Sequence, residues 1–354
     1  MFHPPRCPYR RCLQHTEPTP RFYVRHGSYP VKCRPRRVPR FRCRACGRTF
    51  SRQTFRMDYC DHRPDLNARL FELLASGVGL RQSARMLKLS WRCAELKARK
   101  IGRHLRRLNL NLRGPLPVGA CFQMDEIETY EGRRNTRPLS VPILIETESR
   151  FLVWAESAPI RASGRMSTKR RAAIAADERR FGPRRDLSRR SLRRTLRRGR
   201  DIAVGLEHVP VDTDEKSSYP RLLREAFGAR RLEHTRTNSK LPRTSWNPLF
   251  PINHTEAMAR DLLGRLRRES WLVSKKRRWF DVALHVFMAY RNYVRRRFND
   301  DCSSAAQQLG FVPRRMRPQE LLSWRQDGGK KSIHPLALRE ESVLEYELGL
   351  KRGA

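Results

Sequence analysis

The chain has 354 residues, enough for two or three domains, and carries 77 lysines and arginines against 35 aspartates and glutamates, a formal net charge of +42. No run of about 18 apolar residues occurs, which excludes a membrane-spanning helix, and the N-terminus lacks the apolar stretch of a secretory signal. The positive charge indicates a polyanionic partner, with DNA favoured over an anionic membrane surface. We therefore expect a cytoplasmic, nucleoid-associated protein whose cysteines bind metal or stay free instead of forming disulfides.

Residues 1–62 contain two cysteine pairs whose arrangement is typical of a zinc ribbon. Cys7 and Cys12 are separated by four residues, and Cys43 and Cys46 form a CxxC followed by Gly47. Four thiolates from two such turns can hold a tetrahedral Zn²⁺. The alternative is a set of unrelated buried or exposed thiols.

Short strands are predicted beside these cysteines, at residues 22–24, 29–32 and 40–43. Cys33 is left as a spare thiol. Six arginines of the segment would lie against phosphates or form a solvated face: Arg34, Arg36, Arg37, Arg40, Arg42 and Arg44.

Residues 63–113 show apolar spacing typical of three helices joined by two tight turns. The pattern favours a helix-turn-helix DNA-binding module, with an ordinary helical bundle as the alternative. The third helix is strongly basic, and the residues predicted to contact DNA are Arg92, Lys97, Arg99, Lys100 and Arg103. Residues 109–117, with a glycine and two prolines, indicate a linker.

Residues 118–298 alternate apolar runs with helical patterns, which predicts an α/β domain with a mixed sheet flanked by helices. Strands are expected at residues 118–124, 139–145, 151–155, 209–211 and 231–235. A pattern at 280–298 indicates a helix that packs in the core. Trp246 and Trp271 could stack on a splayed base, but burial in the core is favoured.

Three carboxylates of this region are the candidate catalytic residues. Asp125 and Asp214 are predicted at the ends of short apolar strands, and Glu256 at the start of a helix. Gathered at one sheet edge, they could hold two divalent cations for phosphodiester chemistry. The alternative is ordinary strand-end and helix-start acids, because helix N-termini favour negative charge. Asp212 lies two residues before Asp214 on the same strand face and remains open as the second ligand.

The chain resembles DDE-type transposases of bacterial insertion sequences that carry an N-terminal zinc ribbon. The stretches similar to that family are residues 40–51, 124–126, 213–220, 253–276 and 304–310. The resemblance implies an RNase H-like catalytic domain over residues 118–298, with Asp125, Asp214 and Glu256 binding Mg²⁺ or Mn²⁺. It also implies double-stranded DNA partners, both terminal inverted repeats and target, and a homo-oligomer on DNA. Two other hypotheses remain: a non-catalytic DNA-binding regulator or decayed transposase, and a nuclease that cuts without strand joining.

Two further segments carry weaker signals. Residues 163–203 are predicted as a basic insertion, in which paired arginines recur every four positions, including Arg193 and Arg197 as candidate DNA contacts. This insertion is either a helix with a cationic stripe or disordered. Residues 299–354 are predicted as a C-terminal tail, and no role is assigned to residues 326–354.

Overall fold

The computed structural model describes residues 2–31, 34–267 and 271–324 of the chain. Near the N-terminus it contains a three-stranded antiparallel sheet of order β1-β2-β3. Its elements are a short helix α1 (Leu13–Thr16) and strands β1 (Tyr23–Val31), β2 (Arg34–Cys43) and β3 (Thr49–Ser51). Phe22, Phe41 and Phe50 pack together with the cysteines as a small core. The short strands predicted here are therefore parts of two long ones, and Cys33 lies outside the described residues.

Three helices follow at the predicted positions: α2 (Leu66–Ala75), α3 (Leu80–Met86) and α4 (Trp91–Asn111). Gly77 allows the turn after α2 because its φ of +78° is a conformation that favours glycine. Ser90 caps α4, its side chain accepting a hydrogen bond from the backbone N–H of Cys93 at 3.2 Å. Helix α4 is largely buried between α2, α3 and the later helix α9 (Arg277–Ala289).

The mixed sheet predicted for the central region is confirmed. Its strands are β4 (Phe122–Tyr130), β5 (Pro138–Glu146), β6 (Leu152–Ala155), β7 (Ala158–Pro159), β8 (Val209–Asp214) and β9 (Leu232–Thr237). The order is β6-β5-β4-β8-β9, with β7 paired to β5. Strands β4, β5 and β6 pair antiparallel, whereas β4, β8 and β9 pair parallel. Strand β4 begins four residues later than predicted and continues well beyond Asp125.

Helices cover both faces of this sheet, because side chains along each strand alternate between two apolar cores. The helices that precede α9 in this region are α5 (Thr168–Phe181), α6 (Ser188–Arg200), α7 (Tyr219–Phe227) and α8 (Phe250–Leu262). Phe122, Met124 and Leu144 point into one core, shared with α6 and α7, while Ile127 and Ile143 point into the other, beneath α8 and α9. The sequence-predicted helix at 280–298 corresponds to α9 and a π-helical turn, Tyr290–Val294.

Helix α6 packs against the sheet, so this part of the basic segment 163–203 contributes to the core. Leu192 and Leu196 are buried, and Gly199 lies against the sheet. A Cβ at Gly199 would come within 2.6 Å of the Leu144 side chain. The paired arginines occupy the opposite, exposed face of α6, which supports the helical interpretation over a disordered one.

The segments predicted as linker and tail also contribute to the core. Leu112 and Leu116 are buried, and Arg113 donates to the backbone carbonyl of Arg198 at 3.2 Å. Two short helices, α10 (Ala305–Gln308) and α11 (Pro318–Ser323), pack against the π-helical turn and α2. The first of the two cores therefore contains residues of α2, α4, α9, α10 and α11 as well as of the sheet, α6 and α7. Within that described part, no helix is long and apolar enough to cross a membrane.

Candidate metal sites and nucleic-acid-binding surfaces

The four predicted zinc ligands come together. The sulfurs of Cys7, Cys12, Cys43 and Cys46 all lie within 4.8 Å of one another. Cys7 Sγ is 3.7 Å from Cys46 Sγ, and Cys12 Sγ is 3.7 Å from Cys43 Sγ. With Zn–S bonds of about 2.3 Å, a tetrahedral site requires sulfur separations of about 3.8 Å. The cluster could therefore bind a metal ion such as zinc.

Local turns bring the sulfurs to this spacing. The Gly47 N–H donates to Cys43 O at 2.9 Å, and Gly47 has a φ of +68°. In the wider first pair, the Cys12 N–H donates to Tyr9 O at 3.0 Å, which folds the four intervening residues into a turn. Burial raises the pKa of the Cys7 thiol. A bound cation would offset that cost, because metal-coordinated cysteines are thiolates.

Asp125 and Asp214 lie on neighbouring parallel strands, β4 and β8. Met124 pairs with Thr213, the last aligned pair, so the two aspartates are the next residues along their strands. Both side chains point to the α8 face, because Met124 points to the opposite core. The Asp125 and Asp214 carboxylates accept hydrogen bonds from backbone N–H groups, of Glu126 at 2.7 Å and Lys216 at 3.1 Å.

Gln123 fastens α8 over this face. Its side-chain nitrogen donates to Pro248 O at 2.8 Å, and its side-chain oxygen accepts from the Ile252 N–H at 3.1 Å. Glu256 follows Ile252 by one helical turn, and Asp125 follows Gln123 by two strand residues, steps of about 6 Å each. The Gln123 clamp therefore brings Glu256 over Asp125.

The pKa values reflect this proximity. Burial, followed by the negative charge of Asp125, raises the pKa of Glu256 to about 7. Burial raises the pKa of Asp125 as well, and the charge of Asp214 adds to the effect. Glu256 and Asp125 are thus harder to ionise, first because of burial and then because of a neighbouring negative charge. Arg243 and Arg260 act in the opposite direction on Glu256, and Arg260 Nη2 lies 3.2 Å from Glu256 Oε2.

The oxygen atoms of the three carboxylates are ligands of the kind that divalent cations bind. Glu256 is only 3% exposed, and its Oε1 is buried without a hydrogen-bond partner. A hard cation prefers such an oxygen ligand, so the three carboxylates suit Mg²⁺ in chemistry. Among the described residues, however, only the four cysteines are already close enough together to hold an ion.

The surroundings distinguish the two aspartates of β8. Asp212 lies beside Gln123 and accepts from its side-chain nitrogen at 3.3 Å. Asp214 is the one whose charge acts on Asp125. Asp214 therefore belongs to the carboxylate group, and Asp212 supports the Gln123 clamp.

Two positional expectations were wrong. Asp125 is the fourth residue of a nine-residue strand, because β4 continues along β5 to Tyr130. Glu256 is in the middle of α8, which begins at Phe250. A favourable interaction with the helix N-terminus therefore does not explain Glu256.

Sequence reasoning missed two residues of this site. Gln123 carried no recognisable motif, since its role depends on α8 packing across the sheet. Arg243 lies on the exposed loop before α8, and its charge lowers the pKa of both Asp125 and Glu256. On the opposite face of the sheet, the stretch 213–220 supplies Lys216 and Tyr219, whose side chains both donate hydrogen bonds to Glu126.

The basic residues of α4 do not share one environment. Arg92 and Arg103 are exposed and Arg99 is half-buried. Lys97 is 3% exposed, and its Nζ donates to Arg63 O at 2.7 Å and Asn67 Oδ1 at 2.9 Å. The prediction that Lys97 contacts DNA was wrong, because the side chain points inward.

Lys97 and Lys100 instead hold the carboxylate of Asp61. Their Nζ atoms lie 3.3 and 2.7 Å from its two oxygens. Lys100 Nζ also donates to Tyr59 O at 2.7 Å. These bonds connect the end of the cysteine-containing segment to α4. They also occupy the ammonium group of Lys100, which was predicted to contact DNA.

The other candidate DNA contacts also differ in their surroundings. On α6, Arg193 forms an exposed ion pair with Glu225 at 3.0 Å, whereas Arg197 is exposed with no acidic partner among the described residues. Trp246 and Trp271 are 91% and 101% exposed, so the expectation that they are buried was wrong.

Comparison with protein-family models and with curated proteins finds no match to this chain.

Proposed function

We propose that the chain is a metal-dependent DNA-cleaving and strand-joining enzyme of the DDE transposase type. The observation that carries the proposal is the convergence of Asp125, Asp214 and Glu256, from two parallel strands and one helix, around a buried carboxylate oxygen without a partner. The mixed sheet that positions them is compatible with an RNase H-like domain. The net charge of +42 supports a nucleic-acid substrate.

In this proposal, Asp125, Asp214 and Glu256 hold Mg²⁺ or Mn²⁺. Two such ions supply stabilisation of the attacking and departing oxygens of a phosphodiester. The residues around the carboxylates contribute positioning: Gln123 fixes α8 over β4, and Arg260 holds one Glu256 oxygen while the other faces the site.

DNA binding is assigned to surfaces separate from the carboxylates. The cysteine cluster, loaded with zinc, would order the basic N-terminal segment. Arg92, Arg99 and Arg103 lie on the accessible part of α4, in a helix pair that we propose to be a helix-turn-helix. Arg197 extends the positive surface along α6. Assembly as a homo-oligomer on DNA remains part of this proposal.

The test is cleavage and strand transfer on a labelled duplex that carries the terminal inverted repeats flanking the gene, with Mg²⁺ or Mn²⁺. We expect Asp125→Asn, Asp214→Asn and Glu256→Gln each to lose more than about 100-fold in rate, because even outer partners of metal ligands cost 10–100-fold. Glu128→Gln, which changes an exposed acid of β4 outside the carboxylate group, is the matched control and should retain most activity. Cleavage without joining would favour the nuclease hypothesis.

A second candidate is a DNA-binding regulator without catalysis. It is favoured by one observation: within the described chain, only the cysteines are close enough together to hold a metal ion. Wild-type protein that binds the repeats, yet never cuts with either ion, would support this candidate against the first.

A further inference from the structure

A cleft of about 440 Å³ lies on the side of α8 that faces away from the carboxylates. His254 and Met258 line the cleft, one helical turn apart, whereas Glu256 between them points about 160° away. Five arginines also line it: Arg291, Arg295, Arg296, Arg297 and Arg315. The cleft is therefore strongly cationic and separated from the proposed catalytic site by the width of one helix.

Most of these arginines have no acidic partner among the described residues. Arg297 is neutralised by Asp301, 2.6 Å away. Arg291, Arg295, Arg296 and Arg315 form no ion pair within residues 2–31, 34–267 and 271–324. Gathering like charges without counter-charge opposes folding, so an anion in the cleft would stabilise the protein.

Buried nitrogens at the cleft lack hydrogen-bond partners. Arg291 is 2% exposed and its Nε has none, and His254 Nδ1 is likewise buried and unpartnered. Arg150, whose Cζ lies 5.7 Å from the ring centroid of the cleft residue Phe298, adds unpartnered Nε and Nη1 atoms close by. Burying such groups without a partner opposes folding, which indicates a site for a hydrogen-bond acceptor.

The walls of the cleft are held firmly in place. Asn292 in the π-helical turn exchanges two hydrogen bonds with the backbone of Leu152, at 2.8 and 2.9 Å. The Tyr293 hydroxyl donates to Leu112 O at 2.5 Å, and Met316 N–H donates to Tyr293 O at 2.8 Å. The last bond connects the segment that carries Arg315 to the π-helical turn that carries Arg291. The extra residue per turn of a π-helix is often found at functional sites.

We propose that this arginine cleft binds a phosphate group of the DNA strand, at a position one helix away from the three carboxylates. Guanidinium groups match phosphate oxygens in pairs, and several donors here have no other acceptor. The cleft is larger than a single phosphate needs, and exposed Arg296 leaves its rim accessible to a longer strand. The inference rests on the proposed function for the identity of the polymer.

The first test measures the salt dependence of duplex binding by the full-length protein. Arg315→Gln should reduce the slope of log K against log salt by about 0.9, the value for one lost phosphate contact. Arg314→Gln is the matched control, because this neighbouring exposed arginine is paired with Glu320 at 2.7 Å and lies outside the cleft. Equal slopes for Arg315→Gln and wild type would overturn the proposal.

The second test uses inorganic phosphate as the probe. Phosphate should raise the unfolding temperature of the wild type above that in chloride at equal ionic strength, and Arg291→Gln should abolish the increase. If Arg291→Gln fails to fold, Arg295→Gln takes its place. If phosphate stabilises the protein but Arg315→Gln leaves the salt dependence of duplex binding unchanged, the ligand of the cleft is free phosphate. This result would overturn the assignment to DNA. Cleavage by the wild type is scored separately, so a failed cleft and a failed catalytic site are distinguishable.

Discussion

Replacing Glu256 by glutamine should stabilise the magnesium-free protein at neutral and alkaline pH. Glu256 is 3% exposed and its pKa is raised to about 7, from 4.5, by burial and by Asp125. An acid whose folded pKa is raised contributes most stability below its unfolded pKa, and that contribution is lost as pH rises through the folded value. Raising the pKa from 4.5 to about 7 lowers the free energy of unfolding at alkaline pH by about 3 kcal/mol.

Glutamine keeps the shape of Glu256 without the charge, so the variant avoids this penalty. The raised pKa already includes the opposing effect of Arg260, whose Nη2 lies 3.2 Å from Glu256 Oε2, so losing this ion pair brings no further cost. We therefore expect Glu256→Gln to be similar to wild type near pH 5 and about 2–3 kcal/mol more stable near pH 8.

The assay is urea unfolding at both pH values, with one equivalent of zinc and no magnesium. Glu128→Gln, an exposed acid on β4, is the matched control and should show no such pH dependence. Adding Mg²⁺ should raise wild-type stability and leave Glu256→Gln unchanged, since an ion that binds only the folded state stabilises it. Equal stability of variant and wild type near pH 8 would refute the argument from burial and charge.

The other predictions concern stability and metal content. Metal analysis should find one zinc per chain, reduced by Cys12→Ser or Cys43→Ser but not by Cys302→Ser, because Cys302 is exposed and outside the cluster. Asp61→Ala should cost about 3–5 kcal/mol in urea unfolding, because it leaves Lys97 buried without a counter-charge; Asp65→Ala, which breaks only the exposed pair with Arg63, should cost less than about 1 kcal/mol, and similar costs for both would contradict the buried network. Gly199→Ala should lower thermal stability by about 1–3 kcal/mol through overpacking against Leu144, whereas Gly205→Ala, with open space around it, should change little.

Local patterns in the sequence were sufficient for most elements. Periodic leucines predicted α2, α3 and α4, and apolar runs predicted β5, β6 and β8 close to their bounds. The cysteine spacing predicted a cluster that the structure brings together. Each of these signals lies within a few residues, so the sequence alone is enough to identify it.

Contacts between distant segments were not predictable in the same way. The inward direction of Lys97 depends on Asp61, thirty-six residues earlier, and helical periodicity placed it among the exposed arginines. Helix α6 looked like a basic insertion because seven of its thirteen residues are charged, although Leu192 and Leu196 give it a buried face. The Gln123 clamp joins residues 129 positions apart and has no local signature.

The chain between α4 and the sheet is buried at Leu112 and Leu116, and this burial affects how bound DNA would be positioned. When a flexible linker joins the DNA-binding surface of a protein to its cleavage site, the distance between the two varies. Here Gly102 packs so closely on Val282 that a Cβ would come within 2.4 Å of it, which leaves α4 little freedom to slide over α9. If α4 binds DNA and the three carboxylates cleave it, the number of base pairs between the bound sequence and the cut would be constant.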